Sequence, residues 1–412
     1  MVTYAYYHLD GFTQVMGLWL IEKNLNVTDM LKLRAEGTGK HSLGIVEVDA
    51  DGNAHWYYAW FPITFWHFEA IRSRVMQDFP NVTGELEKVR RLGALGDYAS
   101  SHPRSAVDVE EGRPCHVVIL VHGICGTTDD LAKIAAGLDT ASSNSSNGAT
   151  QRLLLVISDV NVNSTLDGIK AGGERLAKLI EAEVPHGSCL SCICHSLGGL
   201  YCRHALRLLE EDDWFSKKEV KAVNFVALAV PHLGMTDSES SFLQTGIDMA
   251  SRLGFETVKD LALNSDVMQN LCDEAAIRAL SRFQRRAAYG NSYDDFLVSA
   301  CSALIIPSLP VTPRVGMSEG VPWDLADDLG ELTPSSLQDV ELENIPDSRL
   351  DVVRHMLTRL CTLPWERYLL WFPVPSCALT QNAAHVKICN RGLEGPDDDG
   401  KHVLQHLCEL FA

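Results

Sequence analysis

No stretch of this 412-residue chain approaches the ~20 consecutive apolar residues that a membrane-crossing helix requires. The longest early apolar run, Val15 to Ile21, also lacks the basic flank that marks a secretory leader. Positive charge is scarce. Against 54 Asp and Glu stand 35 Lys and Arg, a formal net charge of −19 at pH 7. A nucleic-acid surface is therefore not expected, because phosphate recognition needs clustered cations. These absences point to a cytoplasmic protein without signal peptide or transmembrane segment, for which contact with a membrane surface stays open.

A disulfide framework is not expected either. Twelve cysteines are scattered through segments of strand and helix pattern, without the leader that would accompany a disulfide framework. Cys189, Cys192, Cys194 and Cys202 come near a metal-ligand spacing, but strand alternation is expected to turn the first three to opposite faces. The expectation is reduced thiols, no metal and no cofactor.

What the chain does contain is an apolar run, Cys189-Leu190-Ser191-Cys192-Ile193, ending in Cys194-His195-Ser196-Leu197-Gly198-Gly199. A strand that turns sharply into a helix with serine at the apex is a nucleophile elbow, and it exposes the hydroxyl at the top of a sheet. Gly198 keeps the turn clear of side chains. Cys194 stands where glycine is commonest. A second motif lies upstream, where the buried-strand pattern 115–121 ends in His122-Gly123-Ile124-Cys125-Gly126. Such a loop suits an oxyanion hole, in which two backbone N–H groups meet the negative charge of acyl transfer. Ile124 and Leu197 are the expected donors, with His122, Gly123, His195 and Gly198 as motif support.

From residue 115 strand and helix patterns alternate, as in a mostly parallel sheet covered by helices on both faces. Strands are expected at 115–121, 152–158, 188–194, 222–229, 284–290 and 366–372. Helices are expected near 128–138, 167–183, 197–210, 347–361 and 400–411. The second of these begins at Ser164-Thr165-Leu166-Asp167, which resembles a capping box. Two insertions interrupt the rhythm, at about 235–282 and 316–361. The first carries Phe242, Leu243, Ile247, Met249, Leu253 and Phe255, which either roof a site or pack on the core. The second is acidic in its first part, and reads as a loop or part of a cap. Residues 1–105 read as a separate β-rich region, with 114–412 as the main domain. The aromatic run 56–66 within it is expected to be β-structured core, the other reading being a membrane or partner surface.

A serine nucleophile of this type is followed in chain order by an acid and then a histidine. Strand 284–290 ends in Asn291-Ser292-Tyr293-Asp294-Asp295, so Asp295 is the expected acid and Asp294 the runner-up. Among His355, His385, His402 and His406, only His385 follows a strand and is expected in a loop. His232 precedes any such acid and is expected to order the loop near the site.

In order along the chain occur Val121-His122-Gly123, Leu166-Asp167-Gly168-Ile169, Cys194 to Leu200, Ala229 to Gly234, Phe283 to Asn291 and Leu363-Pro364-Trp365. On these motifs the chain from about residue 114 onward resembles the lipase-like "putative serine esterase" family of the α/β-hydrolase superfamily. The resemblance implies an α/β-hydrolase fold and hydrolysis of lipid esters, with Ser196, Asp295 and His385 as the triad. Cys194 and the segment Gln381-Asn382 depart from the family pattern. The competing expectation is a catalytically weak hydrolase scaffold whose N-terminal unit binds a protein or membrane.

Overall fold

Apolar runs of five to eight residues, separated by amphipathic stretches long enough to cross over, produce a parallel sheet in the computed structural model of the chain. The structure describes residues 114–411 except 125, 145–152, 163, 236–255, 293–294, 296, 311–316, 331, 339, 343–344, 373–382 and 391–399, together with four strands within the first 58 residues. Two units are distinguished, residues 1–98 with 376–381, and residues 99–375 with 382–412.

In the first unit β1 (Val2–His8), β2 (Trp19–Ile21), β3 (Ser42–Val48) and β4 (Ala54–Tyr58) form an antiparallel sheet in the order β2-β1-β3-β4. The aromatic run 56–66 is strand as far as Tyr58, and its side chains lie outside the described residues.

The second unit holds β5 (His116–Val121), α1 (Ala132–Asn144), β6 (Leu153–Ile157), α2 (Ile169–Glu183), β7 (Cys189–His195), α3 (Gly198–Glu211), α4 (Trp214–Lys217) and β8 (Lys221–Leu228). It continues through α5 (Glu256–Leu261), α6 (Val267–Asn270), α7 (Glu274–Ser281), β9 (Arg285–Asn291), α8 (Ala300–Leu304), β10 (Trp323–Asp324), α9 (Leu350–Leu360), β11 (Glu366–Leu370), α10 (Ala383–Lys387) and α11 (Lys401–Leu410). The seven strands lie in the order β10-β11-β9-β8-β7-β5-β6. All neighbours are parallel except β10, which runs against β11. This is the expected α/β-hydrolase architecture, and β7 lies well inside the sheet. Strands buried on both faces explain the near-continuous apolar runs. On one face Val118, Leu120, Ile193, Val226 and Leu228 pack with Leu131 and with Ile134 and Leu138 of α1, and with Val403 and Leu407 of α11. On the other, α3 lays down Leu200, Tyr201, Ala205 and Leu206, all fully buried.

Three local expectations change. The start of α2 is not capped from Ser164 or Asp167. Gly168 occupies the N-cap, the Ile169 N–H donates to Asp260 Oδ2 at 2.9 Å, and the Gly168 N–H donates to Thr257 Oγ1 at 3.0 Å. Asp167 instead takes a two-pronged bond from Arg175. An orphan helix N–H is satisfied equally well by a carboxylate 91 residues away, which local spacing cannot reveal. The second change is in the 316–361 insertion, which supplies the edge strand β10 as well as the expected helix α9. Two residues are too few to show a period. In the 235–282 insertion, Val258, Leu261, Met268, Leu271 and Leu280 are buried, while the six apolar residues singled out between 242 and 255 lie outside the described residues. Third, Cys192 and Cys194, two apart, share one face of β7 and both meet the Cys202 thiol of α3. The ten described cysteines are free thiols, and no group able to hold a metal ion occurs among the described residues.

Candidate active site

At the carboxyl end of β7 the chain passes from strand to helix within two residues. Ser196 takes φ +53°, a left-handed conformation that a non-glycine residue adopts at a cost. Its N–H donates to Leu228 O at 2.9 Å and its carbonyl accepts from Gly199 N–H at 3.0 Å, so strand and helix ladders together hold the turn. Ser196 and Leu197 are buried. The lack of side chain at Gly198 is obligatory, because a Cβ there would stand 2.5 Å from the carbonyl oxygens of both Val121 and His122. At Gly123 a Cβ would stand 2.7 Å from Ser196 Cβ. The two motifs therefore touch through their glycines.

The Gly126 N–H donates to Gly123 O at 3.0 Å, closing a tight turn with Ile124 at its first corner. The N–H of that corner position takes no part in the turn's own hydrogen bond. His122 Nδ1–H donates to the same Gly123 carbonyl at 2.9 Å, which staples the turn to the end of β5.

Asp295 follows β9, and its side chain is 2% exposed. Oδ2 accepts from His385 Nδ1 at 2.9 Å and Asn291 Nδ2 at 2.8 Å, while Oδ1 accepts from the N–H groups of Leu297 and Val298 at 3.2 and 3.0 Å. Burial alone would raise its pKa. The His385 ring, the Asn291 amide and the Val298 N–H outweigh burial and hold the carboxyl below its usual range. Asn291 was not among the residues the sequence singled out. An asparagine four residues before an aspartate at a strand end has many ordinary uses, and that spacing does not by itself reveal the bond. Asp294 lies outside the described residues.

His385 stands on the one-turn helix α10 and not in a loop as expected. Because a carboxylate can only accept, Nδ1 carries the proton and Nε2 of the neutral ring carries a lone pair. That Nε2 is buried and has no hydrogen-bond partner among the described residues, so it is not bonded to Ser196 Oγ in this structure. Catalytic hydrogen bonds are often loose before substrate binds. The main-chain carbonyl of His385 accepts from His195 Nε2 at 2.8 Å, which ties α10 to the residue before Ser196. The rival histidines are placed elsewhere: His355 is exposed on α9, and His406 bonds the Tyr289 hydroxyl at 2.9 Å. His232 packs edge-on against Trp365, and Arg203 reaches both its ring and its carbonyl. Burial first, and the Arg203 cation second, push its pKa well down. Its neutral ring holds the loop after β8, as expected.

The structure thus brings Asp295 and His385 together, joins His385 to the elbow, and sets the elbow against the Gly123 turn. A described helix long and apolar enough to cross a membrane does not occur.

Comparison with known proteins gives the same direction. Residues 111–305 match the family described as "Putative serine esterase". Among curated relatives are two Saccharomyces cerevisiae proteins, "Putative lipase YDL109C", 29% identical over 207 residues, and "Putative lipase ROG1", 30% identical over 201. These matches cover 48% and 46% of this chain but 31% and 28% of the relatives, so the chain spans under a third of their length. Solved structures it resembles include lipase B of Aspergillus fumigatus, at TM-score 0.35 and 16% identity, covering 77% of this chain and 71% of that one. Another is the phospholipase PlaB of Legionella pneumophila, at TM-score 0.33 and 17% identity, covering 46% and 44%. The likeness to the "Putative serine esterase" family is thus carried by segment 111–305, which holds both the Gly123 turn and the elbow at Ser196.

Proposed function

We propose that the chain hydrolyses carboxylic esters through an acyl-enzyme, with Ser196 as nucleophile, His385 as base and Asp295 as the acid that orients it. The observation carrying this reading is the buried Asp295–His385 pair, tied by a 2.8 Å bond to the strained elbow that presents Ser196. His385 Nε2 takes the Ser196 proton as Oγ attacks the carbonyl carbon. The oxygen that becomes negative receives the N–H groups of Ile124 and Leu197. Collapse expels the alcohol, which leaves with the proton from Nε2. Water, deprotonated by the same nitrogen, then attacks the acyl carbon, and the acid departs as Ser196 regains its proton. Asp295 stays ionised throughout and stabilises the imidazolium. No metal or organic cofactor takes part.

The substrate class we favour is a lipid ester, acylglycerol or phospholipid-like. It rests on the yeast relatives, which bear the name lipase, and on the scarcity of cationic side chains for a polyanionic substrate. In this reading 114–412 is the hydrolase domain, acting in the cytoplasm with peripheral membrane contact, and residues 1–105 have a role of their own.

The test is labelling of purified protein with a fluorophosphonate, which reacts with a serine activated by its base. Wild type is expected to label and Ser196→Ala not to label. A folded wild type that labels no better than Ser196→Ala would overturn the reading.

A further inference from the structure

His195 occupies the last position of β7, and its ring is buried beside the ring of His385, the centroids 4.7 Å apart and the planes tilted by 45°. Its Nε2 lies 2.8 Å from the main-chain carbonyl of His385, across a sequence separation of 190 residues. A carbonyl only accepts, so Nε2 carries the proton and the imidazole is the donor. Burial, and then the charge that His385 can bear, bring the His195 pKa down to about 3, against smaller opposing effects of the His385 carbonyl, Asp130 and Asp295. At neutral pH the ring is uncharged.

The two partners differ in how firmly they are held. His195 ends an inner strand that is paired on both sides as far as Cys194, and Ser196 follows it with its N–H bonded to Leu228 O. His385 belongs to a five-residue helix, too short for its own ladder to fix a side chain. Asp295 holds Nδ1 and therefore governs how the ring turns, while the position of the backbone beneath the ring needs a second anchor.

Resting on the proposed hydrolase reading, we infer that His195 is a positioning residue whose Nε2–H bond to the His385 carbonyl sets where the base stands over Ser196. An uncharged donor suits this place. A cation there would repel the imidazolium that His385 becomes during acyl transfer, whereas a carboxylate would turn its lone pairs on the carbonyl oxygen.

Glutamine carries an amide nitrogen as many bonds from the backbone as Nε2 of histidine, asparagine carries one a methylene nearer, and phenylalanine fills the space without a donor. Measured on the full chain by fluorophosphonate labelling rate and by turnover of a short-chain p-nitrophenyl ester, His195→Phe is expected to lower kcat and the labelling rate together by about 10- to 100-fold, with KM within about 2-fold. His195→Gln is expected to recover most of that loss. Thermal melting of each variant shows that it is folded. Should His195→Phe not fold, the Gln and Asn variants decide, with Asn expected about 10-fold slower than Gln. Equal rates for wild type and Phe, a Gln variant no faster than Phe, or equal Gln and Asn rates would each overturn the assignment of His195. A wild type that does not label at all would overturn the hydrolase reading instead, so the two failures are distinct.

Discussion

Asp295 illustrates how one side chain is specified by many others. Buried without partners, a carboxyl would be neutral at pH 7, yet four hydrogen bonds converge on it and keep it ionised. Asp295→Asn should keep its oxygen on the Leu297 and Val298 N–H groups, which turns the amide nitrogen toward His385 Nδ1 and selects the tautomer with its proton on Nε2; the expected result is a fall in kcat of about 10⁴-fold with little change in KM or melting temperature. A variant with near-normal kcat would show that another group orients the base. At this scale the residues of the proposed triad, Ser196, Asp295 and His385, stand out in the sequence because each sits in a motif or follows a strand. Asn291, and the bond from His195 to a carbonyl 190 residues away, were not, because nothing local distinguishes them.

Among the elements, the elbow and the Gly123 turn behave as one unit. Gly198→Ala would drive a methyl to 2.5 Å from two carbonyl oxygens, those of the last residue of β5 and the one after it, which as main chain cannot rotate away as a side chain would. The expected cost is roughly 1–3 kcal/mol of stability, read from urea unfolding, together with loss of labelling as the proposed oxyanion donors are displaced. An Ala variant that melts and labels like wild type would contradict this geometry. The central strands β5, β7, β8, β9 and β11 fall within two residues of the expected ranges, since double-sided burial leaves an unmistakable apolar run. The start of α2 was not legible. Its N–H groups are met by Asp260 and Thr257 from the later insertion, and Asp167 is drawn to Arg175.

For the molecule as a whole, burial of histidines sets a direction for acid sensitivity. His195 is brought down to about 3, His204 to about 4, and His232 well below its usual value, each by burial first. Their unfolded value is about 6.5, so the unfolded chain binds more protons as the pH drops below it. The stability from keeping these rings neutral is complete above pH ~6.5 and is lost progressively toward pH 4. Asp295, whose pKa is lowered, gives up its contribution only below the ordinary carboxylate range. The urea midpoint of the wild type is expected to fall between pH 7 and pH 5, as the unfolding free energy drops by up to ~1.4 kcal/mol per pH unit for each such histidine. A midpoint unchanged over that interval would mean that these rings are not buried as neutral groups.

By itself the sequence determined the strand and helix alternation, the strand-to-helix elbow at Ser196 and the Gly123 loop, because local periodicity and turn chemistry act over a few residues. Tertiary structure alone decided which distant groups complete them. The carboxylate that caps α2, the His385 ring on Asp295 and the strap from His195 to α10 all join segments whose separation in sequence carries no trace of their meeting. They meet because parallel strands bring the carboxyl ends of β5, β7 and β9 to one edge, where the ends of polar loops must find partners as water is excluded.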